Sequence, residues 1–587
     1  MIDFDYILSK VGYLGTYQIL VILMVYYSGI PSGLNSIGPV FMSYQPDYRC
    51  NVPPFDNKSV YNSLNESEIL ALTTPVDGDG KYDTCRRYSY DVEECYKHGN
   101  DSFECLEGVN NTVSCVNADG YYYDRSLFTE TVVTEMDLVC DKVIYSYAAT
   151  SIYMLGLLFG SIIFGNLSDR VGRKPTMIVC SVGCAVGMLG AVLSPVYWAY
   201  ALFRLIIAFF GYGMTISCFV IVMELIGTKW RTLVGISFQV SFAVGYMLLS
   251  GVAYGWRDWR DMQWACIVLS LPFGIFLILI PESPRWLFSV GKDKQAKKIS
   301  MTMAKFNKVE LTEDIWLEAE RLGNENVEKS QEDDKNETRS YSSSDLFRAP
   351  GIRLTTFKVM FNWFVNSLVY YGLSLNVGSL SGNIFINNVI GGCMEIISYG
   401  LCIIFMDFVG RKVLLAIMLL VSGTTLIAST IVNEYAGDDQ ALITLGVAFA
   451  FLGKMGISGS YAIIYNFTTE LFPTVVRSNG IGIGSMAARI GGILTPFVIA
   501  TQVWVTWLPN SIFGAFGVIA GILSLTFPET TGMKMLETLE EAEAFYAGQH
   551  MTAEQSDMKE QRLSSADSEE PTHFENKFYE VDLSTEL

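Results

Sequence analysis

The chain has 587 residues, half of them hydrophobic and only 17% charged, with a mean hydropathy of +0.31. That balance excludes an ordinary soluble domain, and a net charge of −20 with only three histidines argues against a nucleic-acid binder and against metal or histidine-based catalysis. The acidity is local: residues 42–140 carry 18 acids against 7 bases and residues 529–587 carry 15 against 4, which leaves the remainder nearly neutral.

Apolar runs lie near 16–38, 145–167, 175–195, 199–224, 232–254, 262–280, 355–375, 384–406, 412–432, 440–469, 477–500 and 505–527. Each approaches the roughly 20 residues that a helix needs to cross the hydrocarbon layer. The expectation is therefore twelve transmembrane helices, six per half. Asp3 and Asp5 stand where a cleavable signal peptide would be basic, so none is expected.

The segment between the first two runs is polar and holds Cys50, Cys85, Cys95, Cys105, Cys115 and Cys140, with glycosylation sequons at Asn57, Asn65, Asn100 and Asn110. Six cysteines in one polar loop predict three disulfides outside the cell, with fifteen pairings open. Lys and Arg cluster in short turns at 170–174, 229–231 and 411–412, which the positive-inside bias makes cytoplasmic, as it does both termini. Residues 288–350 read as a charged, solvated linker with a helical pattern around 293–325. The acidic tail ends Ser584-Thr585-Glu586-Leu587; Thr585 and Leu587 suit capture by a PDZ domain.

The expected division is 1–41 for the N-terminus and first helix, 42–141 for the extracellular loop, and 142–280 for helices two to six. Residues 281–350 form the linker, 351–528 helices seven to twelve, and 529–587 the tail.

Three charged motifs occur twice in the same order. Asp169-Arg170-Val-Gly-Arg173-Lys174 is echoed by Asp407-Phe-Val-Gly-Arg411-Lys412, Glu224 with Arg231 by Glu470 with Arg477, and Pro281-Glu282-Ser283 by Pro528-Glu529-Thr530. The offsets, 238, 246 and 247, mark a duplication of one hydropathy plan.

The repeated turn resembles the signature of the major facilitator superfamily. The opening Phe4 to Gln18, Thr131-Val-Val-Thr-Glu-Met-Asp-Leu-Val-Cys140, Pro281-Glu-Ser-Pro-Arg-Trp-Leu287 and Glu470-Leu-Phe-Pro-Thr-Val-Val-Arg477 are similar to the organic cation, carnitine and organic anion transporter family within it. The resemblance implies an all-α membrane protein of two pseudo-symmetric six-helix bundles, carrying small organic ions by alternating access at the plasma membrane. It also implies an inner gate of ion pairs among Asp169, Arg170, Arg173, Glu224, Arg231, Glu282, Arg285, Asp407, Arg411, Glu470, Arg477 and Glu529. Ordinary topogenic charges are the alternative for the same residues. A receptor on a transporter fold is the competing class.

Charges inside apolar spans are expensive and mark function. Glu395, Lys454 and Arg489 are the three singled out. Arg489 has no acid in its own helix, so a ligand carboxylate suits its planar fork. The resembling family has an acid here in cation carriers and Arg in anion and carnitine carriers, while Glu395 followed by Tyr399 is similar to the carnitine branch. In that reading Arg489, helped by Lys454, takes a carboxylate, and Glu395 with aromatic faces takes a quaternary ammonium. For Glu395 and Lys454 the alternative is a structural ion pair tying two helices. The aromatic candidates are Phe219, Trp363, Tyr370, Tyr371 and Tyr399, with Gln239 as a polar one. No cofactor and no metal are expected; coupling to sodium, protons or a counter-anion is left open.

Overall fold

The computed structural model describes residues 2–53, 55–56, 65–76, 80–98, 104–106, 109–227, 230–336, 342–531, 533 and 536–546, without side chains at 97, 98, 104, 232, 326–336 and 407. Among the described residues twelve apolar helices build the two halves, in chain order α1 (Thr16–Met42), α2 (Val143–Val171), α3 (Arg173–Val192), α4 (Tyr197–Leu225), α5 (Arg231–Gly255), α6 (Trp259–Leu279), α7 (Pro350–Leu375), α8 (Ile384–Val409), α9 (Arg411–Ala436), α10 (Gln440–Leu471), α11 (Arg477–Ala500) and α12 (Leu508–Ser524), with a charged 24-residue helix, Glu313–Asn336, in the segment between α6 and α7. Ten are long and apolar enough to cross a membrane. Of the other two, α12 is short at 17 residues. The second, α7, is long at 26 residues but lines the protein interior with buried Asn362, Asn366, Ser367 and Ser374, which lowers its hydropathy without shortening it. First span α1 is broken near Ser28 and Gly38 into three helical pieces.

Small residues set the packing inside each half. A Cβ on Gly156 of α2 would stand 2.4 Å from the Leu205 carbonyl of α4, and one on Gly491 of α11 would stand 2.4 Å from the Phe364 carbonyl of α7. Lipid offers no hydrophobic drive between helices, so such close backbone approach supplies the van der Waals contact that holds them together.

The repeated motifs explain one another here. Gly172 (φ 112°) ends α2 and Gly410 (φ 91°) ends α8, each in the left-handed conformation that glycine adopts without strain. A Cβ would strike the Glu282 carboxylate at 2.6 Å in the first half and that of Glu529 at 2.7 Å in the second. Those carboxylates accept the backbone N–H of Arg173 (3.0 Å) and of Arg411 (3.0 Å), satisfying the first donor of α3 and of α9.

Between α1 and α2 lies a small domain with two antiparallel pairs. β1 (Tyr48–Cys50) runs against β4 (Tyr121–Tyr123), and β2 (Arg86–Tyr88) against β3 (Thr112–Ser114). Disulfides join Cys50 to Cys115, Cys85 to Cys140 and Cys95 to Cys105 around a core of Val52, Phe55, Ile69 and Tyr90. Asn65 and Asn110 are exposed; Asn57 and Asn100 lie outside the described residues, as do Thr585 and Leu587. The domain is hydrogen-bonded to the first half, and its Phe128 ring also meets Phe385 of the second half at 5.9 Å. Glu135 takes both Arg260 (Nε, 3.1 Å) and the Trp259 indole (2.7 Å), and Thr129 N–H reaches the Arg257 carbonyl (3.1 Å).

Candidate functional site

The two halves meet on the side that carries the disulfide-bonded domain. Phe385, at the start of α8, stacks on Phe41 at the end of α1 with ring centres 5.5 Å apart and planes 4° apart, and the Arg257 guanidinium lies 4.6 Å above it. One turn on, the Asn388 amide donates to the Tyr246 carbonyl (2.9 Å) and the Ser250 hydroxyl (2.7 Å) of α5. The second seam joins α2 to α11, where Ser151 donates to the Ile493 carbonyl (2.9 Å).

The opposite face is built differently. Arg173 is held by Glu224 (Nη2, 2.7 Å) and Asp169 (3.0 Å), and Arg411 by Glu470 (3.2 Å). Arg285 pairs with Asp5. Arg231 leaves its Nε unpartnered, and Arg477 donates only to the Phe472 carbonyl in its own turn. Arg170 is exposed, and the Asp407 side chain is outside the described residues. Each of these ion pairs stays within one half. The expected gate is closed by such pairs when the cavity faces outward and broken when it faces inward; among the described residues no ion pair links the halves on this face, as in the broken arrangement, and the closed arrangement is not seen here. Among the described residues Arg231 and Arg477 form no salt bridge with Glu224 or Glu470; each arginine starts the helix that follows the one carrying the glutamate.

Halfway through the second half the three charges lie buried, at 0% exposure for Glu395, 3% for Lys454 and 4% for Arg489. Lys454 Nζ sits 2.6 Å from the Glu395 carboxylate, bonds the Ser374 hydroxyl, and lies 3.8 Å above the Tyr370 ring. Tyr399, one turn along α8, stands beside Glu395. The two charges thus satisfy each other, and Lys454 does not reach toward Arg489 as a helper.

Arg489 is in another situation. Its guanidinium lies 4.2 Å above the ring of Tyr212, which belongs to α4 in the other half, and Tyr371, Tyr461 and Tyr465 surround it. Its Nε has no hydrogen-bond partner, and among the described residues no carboxylate pairs with it. Trp363 packs on Tyr465 at 4.4 Å and Tyr370 on Tyr461 at 5.5 Å, so one aromatic wall runs from Lys454 to Arg489. Trp363 is fixed by its indole N–H on Thr468 (3.0 Å).

Phe219 and Gln239 do not join this cluster. Phe219 is 37% exposed and touches Phe238 of α5, and Gln239 is half-buried there without a hydrogen bond. Tyr212, Tyr461 and Tyr465 escaped sequence reasoning. A signal was present: 461 and 465 fall seven and eleven residues after Lys454, on its face of the helix, and Tyr212 is flanked by two glycines in mid-span. Arg204 also escaped. It is 1% exposed in α4, donates to the Asn35 carbonyl (3.0 Å) and covers Tyr153 at 4.3 Å.

Comparison with known proteins places this architecture. Residues 101–544 match the family described as sugar (and other) transporter. The organic cation transporter protein of Drosophila melanogaster is 36% identical over 544 residues, covering 92% of this chain and 95% of that one. Solute carrier family 22 member 16 of Xenopus laevis is 31% identical (92% and 94% covered), and organic anion transporter 3 of Oryctolagus cuniculus is 30% identical (92% and 94%). Among solved structures, the xylose transporter XylE from E. coli in an inward open conformation superposes with a TM-score of 0.56 at 16% identity, covering 90% of this chain and 100% of that one. That likeness concerns the fold alone.

Proposed function

The chain belongs to the sugar (and other) transporter family, and from that premise we propose that it carries small carboxylate-bearing organic ions, carnitine-like zwitterions first, across the plasma membrane. It is a multi-pass membrane transporter of the organic cation and anion type and not an enzyme. One observation carries the substrate reading: Arg489 is a buried guanidinium with no carboxylate of its own. Burying an ion without a partner costs several kcal/mol, so a bound carboxylate is stabilised strongly by a bidentate fork already stripped of water. The ammonium end of a zwitterion would then rest on the Trp363, Tyr461 and Tyr465 faces rather than on Glu395.

A second reading, organic anion transport, is favoured by the Glu395–Lys454 pair. With those two charges cancelled, Arg489 leaves the buried set at one positive charge, which suits an anion with no ammonium at all.

Alternating access follows from the asymmetry of the two faces. Closed on the extracellular side, the halves would rock about the Arg489–Tyr212 contact, separating Phe385 from Phe41 and bringing the opposite ends together. The intra-half clusters at Arg173 and Arg411 would keep each bundle rigid through that motion. Both termini are then cytoplasmic, glycans sit on the extracellular loop, and the tail is free to meet a PDZ domain.

Competition uptake in proteoliposomes tests the reading, with carnitine, a dicarboxylate and tetraethylammonium as competitors. Carnitine and the dicarboxylate should displace the label and tetraethylammonium should not. If Arg489→Asp leaves that order unchanged, charge matching at Arg489 is wrong. Ligand binding without net uptake would favour a receptor.

A further inference from the structure

The helix Asp293–Phe306, in the segment joining the halves, has a buried face of Ala296, Ser300, Met303 and Ala304 and an outer face that none of the functional reading uses. Lys294, Lys298 and Lys305 are exposed along that outer face, and Lys297 is half-buried with its ammonium 5.2 Å above the Trp316 ring. With Met301 and Thr302, these four lysines line a shallow recess of about 410 Å³ that contains no acid. Among the described residues none of the four is ion-paired. An adjoining recess of about 390 Å³ adds Lys308 and one acid, Glu310.

The position of the helix matters as much as its charge. Asn307, the residue after its last turn, accepts the Tyr17 N–H (3.0 Å) and donates to Gln18 (2.9 Å) and to the Val11 carbonyl (3.2 Å). Tyr17 and Gln18 begin the first span and Val11 ends the short helix before it, so the helix end is moored where the first span starts. Phe306 packs on Tyr17 at 5.5 Å yet is 54% exposed, and Met301 is 50% exposed. Basic residues beside exposed apolar ones at that depth are the pattern of a helix lying on a lipid surface.

We infer that this face binds the headgroups of anionic lipids, with a multiply phosphorylated inositol lipid as the occupant that a recess lined by four lysines fits. Charge complementarity is the argument: several phosphates on one ring present the dense negative charge that the acid-free recess would neutralise, while Met301 and Phe306 meet the acyl boundary.

The test uses the full-length protein in detergent and dioctanoyl phosphatidylinositol bisphosphate as probe, with binding read from the rise in melting temperature on titration. Wild type should bind, and dioctanoyl phosphatidylcholine should not. The triple variant Lys294→Gln/Lys298→Gln/Lys305→Gln should bind roughly 100-fold more weakly, at about five-fold per surface charge. The corresponding triple Arg variant should keep binding, which separates lost charge from lost folding. Phe306→Ser should weaken the lipid without changing affinity for free inositol trisphosphate. Unchanged binding in the Gln variant would overturn the assignment. So would equal affinity for lipid and free inositol trisphosphate, which would make the occupant a soluble phosphate rather than a membrane.

Discussion

Two buried cations stand on neighbouring helices of the second half, and their surroundings divide their roles. Lys454 has a carboxylate at 2.6 Å, a hydroxyl and an aromatic face; Arg489 has aromatic faces, the Tyr371 hydroxyl and an orphaned Nε, with no carboxylate among the described residues. A charge already paired contributes to holding helices together, because Glu395 is on α8 and Lys454 on α10. A charge left unpaired in the same dielectric is a place for a ligand. The difference teaches that a charge inside a span is informative only once its partner is known.

The sharpest way to break this contrast is to remove one member of the pair. Lys454→Met strands a fully buried carboxylate and should destabilise the protein by about 3–5 kcal/mol, as removal of one partner of a buried pair does. Loss of monodisperse protein on size-exclusion chromatography would report it. The double variant Glu395→Gln/Lys454→Met, which leaves no buried charge behind, should recover most of the yield. If Lys454→Met were as stable as wild type, the pair would not be structural.

Arg489→Gln should do the opposite, leaving yield and melting temperature near wild type while transport suffers. Removing one side of a desolvated charge contact costs about 2–5 kcal/mol, so uptake of a labelled carboxylate at sub-saturating concentration should fall by about 100-fold. Arg489→Lys, which keeps charge but not the fork, should fall less. A Gln variant that fails to fold while transport per folded molecule stays intact would assign Arg489 to structure, like Lys454.

How much of this was legible depends on how local each cause is. The repeated Gly-Arg-Lys turn could be read because its parts are contiguous, and the structure shows why both copies carry glycine: Glu282 and Glu529 occupy the space of a Cβ. The twelve helices follow from run length, even at α7, whose polar residues face inward. The partners of Arg173 and Arg411 were less legible, since the repeated motifs assign no pairs and the fold delivers Glu224 to Arg173, 51 positions away. The Glu395–Lys454 pair was one of two readings that sequence left open, because nothing along a chain gives the rotation of one helix against another. The aromatic wall was hidden by abundance: with 13% of residues aromatic, Tyr461 looks like any other.

The smallest expected effects come from the rings beneath the two cations, and they sharpen the contrast because the ring contact is similar while the partner differs. Tyr212→Leu removes the face under Arg489, a contact worth about 1–2 kcal/mol when desolvated, so the guanidinium loses this cross-half support and KM for a carboxylate substrate should rise about ten-fold. Tyr212→Phe keeps the face and should change KM by less than about two-fold. Under Lys454 the same change, Tyr370→Leu, should leave KM within about three-fold, since Glu395 and Ser374 still fix the ammonium. Should Tyr370→Leu raise KM as much as Tyr212→Leu, both cations would face the substrate and the division between a structural pair and a binding charge would fail.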